Sequence, residues 1–95
     1  MKVFYDHIII IDDIITEIEV MDFEESEKQE IYSLVDSIIH HRVLEHILDM
    51  LDIVHHDEFL TRFYAQPDDM RHLVFLEKKT NKDMVSELHK LSEAL

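Results

Sequence analysis

No glycine occurs in this 95-residue chain, and proline occurs once, as Pro67. Glycine takes positive φ freely, so its absence excludes glycine-rich phosphate loops, the dinucleotide-binding fingerprint and Asn-Gly or Gly-Gly hairpins. Helices joined by short connections remain easy to build, provided that each ends without a glycine C-cap. Asn81 is the residue near a predicted helix end that takes a left-handed angle most readily. The predicted fold is all-α, a single domain over residues 1–95, with four to five helices arranged around one long one.

The periodicity places them. Phe4, Ile8, Ile11, Ile15 and Ile18 recur at spacings of four, three, four and three, one stripe of a helix over about 4–20, widened by Ile10 and Ile14. A strand competes here, because isoleucine is β-branched and Thr16–Val20 alternates. Residues 24–52 carry Ile31, Leu34, Val35, Ile38, Ile39, Leu44, Ile47, Leu48 and Leu51 with helical spacing, which predicts one helix of roughly 40 Å. Asp22 with Glu25, or Ser26 with Gln29, would cap it. Asp57 then opens a short helix bearing Phe59, Leu60, Phe63 and Tyr64. Pro67 suits the first turn of the next, which ends in Glu77-Lys78-Lys79. Thr80–Asp83 is a capping pattern ahead of a last helix with Met84, Val85, Leu88, Leu91 and Leu95 on one side.

Charge narrows the function. Twenty-two acidic side chains against nine basic ones give a formal charge of −13, which disfavours direct binding of nucleic acid or an anionic membrane. With no cysteine, thiolate metal sites, disulfides and cysteine nucleophiles are absent. Asp6 and His7 interrupt any signal-like apolar stretch, and the longest apolar runs, Ile8–Ile11 and Leu73–Leu76, are far below the roughly 20 residues of a membrane span. A cytoplasmic protein is expected.

Eight histidines are the one excess of a chemistry-bearing residue. Asp36/His40, His41/Glu45, Asp68/His72 and Asp69/His72 have the spacing at which helical side chains meet, so Asp36, His40, His41, Glu45, Asp68 and His72 are the candidate metal ligands. No His-Glu-x-x-His or Glu-x-x-His motif is present, and these residues read first as solvated histidines on an acidic surface. Arg42 reads as an anchor between helices, with Glu45 or Asp49 on the same helix or a carboxylate from another segment as partner. The serines lie on or at the starts of predicted helices, without the turn a nucleophile needs. No cofactor or small-molecule substrate is predicted, and no catalytic residue.

More apolar stripe is present than one small core needs. The expected contact surfaces are therefore Phe4, Ile8, Ile11, Ile15 and Ile18, an N-terminal oligomerisation arm, and Phe59, Phe63, Tyr64 and Phe75. The function expected is a non-enzymatic protein–protein interaction module, a homo-oligomer or a small subunit of a larger assembly. Two alternatives are an acidic decoy for a basic nucleic-acid-binding groove and a His/carboxylate metal site in a bundle. Met21-Asp22-Phe23, the acidic start Glu24–Lys28, His41–Leu48 and Asp57–Leu60 together resemble a group of short, acidic, all-helical bacterial proteins of unknown function. That resemblance spans about residues 19–95 and implies a helical fold without a known activity.

Overall fold

The helix expected over 24–52 runs from Glu25 to Met50 in the computed structural model. The model describes residues 2–9 and 11–95; Met1 and Ile10, the latter counted above on the isoleucine stripe, lie outside the described residues. The helices are α1 (Asp12–Glu19), α2 (Glu25–Met50), α3 (His56–Ala65), α4 (Arg71–Thr80) and α5 (Met84–Ala94), with a 3₁₀ turn at Ile53–His55. No strand occurs among the described residues. None of the helices among them is long and apolar enough to cross a membrane.

At about 1.5 Å per residue α2 is about 39 Å long, close to the full length of a molecule measuring 46 × 25 × 20 Å. Its fully buried residues are Ile39, Val43 and Ile47, one line at i, i+4, i+8, all in the second half. The core is gathered around that half by Phe59 and Phe63 of α3, Leu73, Phe75 and Leu76 of α4, and Met84 and Leu88 of α5. The first half of α2 has no buried residue and projects as an arm, on which α1 packs with Ile18 buried.

The N-terminal segment differs from the predicted helix. Residues 4–9 form turns, and helix begins only at Asp12. Val3 N–H donates to the Asp6 carboxylate at 2.8 Å, and Ile8 and Ile9 donate to the Tyr5 carbonyl. Phe4 N–H donates to the Pro67 carbonyl at 2.8 Å, tying the segment to the α3–α4 connection. Val3, Phe4, Tyr5, Ile8 and Ile9 are thereby all buried. A helix would have sent successive residues round its circumference, whereas this coiled-up segment buries its apolar residues on both sides of the exposed Asp6 and His7. Phe4 is the plug, edge-on to Phe59 and Phe63 at centroid distances of 6.5 and 6.0 Å.

The helix ends show how a glycine-free chain turns. After α2, Leu51 takes extended angles (φ −94°, ψ 132°), and the Asp52 side chain accepts from Val54 N–H. The His56 ring closes the end by placing Nε2 2.8 Å from the carbonyls of both Leu48 and Leu51. Two acceptors require the proton on Nε2, so the ring donates to carbonyls that a C-cap would otherwise serve. Asn81 stands at φ 57°, ψ 32° after α4, as expected.

Other caps depart from expectation. Asp83, rather than Thr80, accepts from Ser86 N–H to start α5. No side-chain cap bond forms at Glu24, so neither capping box ahead of α2 is made. Helix α4 starts at Arg71 and not at Pro67. Pro67 lies in the preceding turn, and Asp69 accepts from Arg71 N–H at 2.9 Å.

Candidate interaction surface

The structure divides the expected contact residues. Phe4, Ile8, Ile18, Phe59, Phe63 and Phe75 are buried, and Ile11 and Ile15 are half-buried. They make the core and its α1 flank, so neither the isoleucine stripe nor the aromatic group is a surface. Of the named residues only Tyr64 is open, at 68% exposure.

The histidines also changed role. His72 is 4% exposed, between the rings of Phe4, Phe59 and Phe63, and its Nε2 donates to the Gln66 carbonyl at 2.6 Å. It is a packed core residue pinning the α3–α4 connection rather than a solvated ligand. Asp36 Oδ2 lies 3.4 Å from His40 Nε2 and Glu45 Oε2 3.6 Å from His41 Nε2. Among the described residues no group of three or more His, Asp or Glu converges as a metal site would require. Arg42 is exposed and makes no ion pair among the described residues, so it anchors no second helix.

One constellation resembles a catalytic relay. The Tyr5 hydroxyl bonds Nδ1 of His40, whose buried Nε2 has no hydrogen-bond partner and faces Asp36 from 3.4 Å. The order Asp–His–hydroxyl is that of an activated nucleophile. Here, however, Tyr5 is buried, and burial first, then the Asp6 and Asp36 charges, push its hydroxyl well above the ordinary tyrosine range. Tyr5 is 2% exposed. The bond instead fastens the N-terminal segment to α2.

What stands open is one face of α2. Leu34 and Ile38 are 63% and 57% exposed. At 100° per residue they share a stripe with Glu27, Glu30, His41 and Glu45, every one exposed. Two adjoining apolar residues are thus framed by acids along the projecting arm. Tyr32, on another side of α2, donates to the Glu19 carboxylate, and Lys28 bonds the Glu19 carbonyl at 3.4 Å. Those contacts hold α1 in place and leave the Leu34–Ile38 face uncovered.

The charge is distributed unevenly in the same sense. Residues 1–60 hold sixteen acidic and three basic side chains, residues 61–95 six of each, so the entire excess of −13 belongs to the first sixty. Counting the two parts of the chain separately would have revealed this from the sequence. Helical phase signals the exposed pair as well: Leu34 and Ile38 each stand nine residues, about 180°, from Val43 and Ile47, on the opposite side of α2 from the buried line. No family model, curated protein or solved structure matches the chain.

Proposed function

We propose that the protein is a non-enzymatic protein–protein interaction module, a homo-oligomer or small subunit of a larger assembly, whose contact surface is the Leu34–Ile38 face of α2. The observation that carries this reading is the pair of exposed large aliphatic residues, one turn apart on an arm that adds little to the core. Solvent-facing leucine and isoleucine on a rigid helix cost nothing to replace for folding, and their burial at a contact is favourable at about 25 cal/mol per Å². The acids beside them favour a cationic, amphipathic partner element.

The same pair argues against an acidic decoy, since a phosphate-mimicking band has no use for aliphatic side chains at its centre. A cytoplasmic setting belongs to this reading on the sequence grounds given above. The test is binding of a synthetic Lys/Leu amphipathic peptide followed by calorimetry. Leu34→Ser/Ile38→Ser is expected to weaken binding at least about tenfold, or about 1.4 kcal/mol. Equal binding by that variant and the wild type would contradict the assignment of the face.

A further inference from the structure

We infer that the partner of the α2 face is a second copy of this chain, engaged through the exposed face of α4, so that copies join head to tail. The inference rests on the reading of the α2 face as a contact surface and adds the identity of what covers it.

The chain displays the complementary element itself. On α4, Arg71, Val74 and Lys78 share one stripe at helical spacing, all exposed, with Val74 at 55%. Arg62 of α3 stands beside it, its guanidinium 4.8 Å from the Phe75 ring centroid, and Lys79 Nζ lies 5.8 Å from the same ring. Arg71 is paired with Asp69 at 2.7 Å, while Arg62, Lys78 and Lys79 form no ion pair among the described residues. Together with Val74, Phe75 and Glu58 these cations line a recess of about 370 Å³. Its apolar floor and cationic rim are the inverse of the α2 face, where an aliphatic pair is rimmed by Glu27, Glu30 and Glu45.

Net charge does not forbid the contact. At 0.15 M salt charges interact over about 8 Å, and the molecule is 46 Å long, so local complementarity outweighs distant like charge. Two arms facing one another would instead oppose acid to acid. A contact between two different faces is heterologous, leaving one free face of each kind at the ends of any assembly that does not close into a ring.

Sedimentation velocity on wild type and two variants, from micromolar to millimolar, tests this. The arm variant is Leu34→Ser/Ile38→Ser and the tail variant Val74→Ser/Lys78→Glu; all four positions are exposed, and circular dichroism verifies folding. Wild type is expected to gain mass with concentration, each variant alone to stay at 11.5 kDa, and an equimolar mixture of the two to reach twice that mass and stop. In the mixture each molecule retains the face the other lacks, which only a head-to-tail contact can use. A wild type that stays monomeric overturns the inference, as does a tail variant that still dimerises or a mixture that does not. If wild type stays monomeric but the Lys/Leu peptide binds with dependence on Leu34 and Ile38, a foreign partner covers the face and the proposed function stands. Peptide binding indifferent to those residues removes that reading as well.

Discussion

The Tyr5 hydroxyl bonds Nδ1 of His40 across thirty-five residues of sequence, and this contact, with Phe4 N–H on the Pro67 carbonyl, holds the N-terminal segment over the core. Tyr5→Phe keeps the ring packing and leaves Nδ1 without its partner. A loss of about 1–3 kcal/mol is expected in denaturant unfolding. In a double-mutant cycle with His40→Leu the second change should cost much less once the first is made. Additive losses would show that the hydroxyl and the ring act independently.

Phe4, 1% exposed, joins that segment to the rings of Phe59 and Phe63. Phe4→Ala should cost about 3–5 kcal/mol, the range for a buried aromatic. A loss below about 1 kcal/mol would place the segment off the core in solution.

Tyr5 and Tyr32 titrate late. Glu19 accepts the Tyr32 hydroxyl proton, which pushes that group up to about 12, and burial pushes Tyr5 further. A raised folded value means that the Tyr32–Glu19 contribution is complete below pH 10 and is lost as pH rises towards 12. At pH 11 the folded protein should therefore hold at least two of its three tyrosines protonated, seen as an increase in phenolate absorbance when denaturant is added at that pH. Glu19→Gln should lower the Tyr32 value.

Asp69 behaves oppositely. The Arg71 side chain, then the Arg71 backbone N–H, hold its carboxyl at about 2, against 3.8 ordinarily. Its contribution is present above pH 3.8 and lost as pH falls through about 2. By carboxyl NMR titration, Arg71→Gln should return the Asp69 value towards 3.8, and an unchanged value would refute the pair.

Asn81 carries the left-handed turn between α4 and α5. Asn81→Val should cost about 1–2 kcal/mol, whereas Asn81→Gly should stay within about 1 kcal/mol of wild type. Equal losses would mean that the side chain matters and not the backbone angle.

Much of this fold was legible in the sequence, and for definite reasons. Helix α2 spans the expected stretch because its apolar residues recur three or four apart with no glycine or proline to break the run, although the apolar side changes halfway along, from that of Leu34 and Ile38 to that of Val43 and Ile47. Asn81 was recognisable because few other residues accept its angle. Residues 4–9 differ from the expected helix because Phe4 and Ile8, four apart, fit a helical stripe as readily as an irregular segment whose apolar residues are buried beside an exposed Asp6 and His7. The structural histidines were hidden for another reason. His56 and His72 bond carbonyls, and every residue has one, so no pattern of side chains announces the pairing. Leu34 and Ile38 fit the helical spacing of α2 as well as its buried residues do, because spacings of three and four alone do not record that the pair lies about 180° from Val43 and Ile47.

On the reading proposed above, the apolar stripe of α2, framed by acids, is a binding face and not part of the folding core. Ser at Leu34 and Ile38 should change stability by no more than about 0.5 kcal/mol each, against about 2–5 kcal/mol for Ile47→Ala. The most direct measurement is amide chemical-shift mapping of the isotope-labelled protein as the Lys/Leu peptide is added. The account predicts perturbations concentrated between Glu27 and Glu45 and abolished in Leu34→Ser/Ile38→Ser. Perturbations centred on another element, or unchanged in that variant, would contradict it.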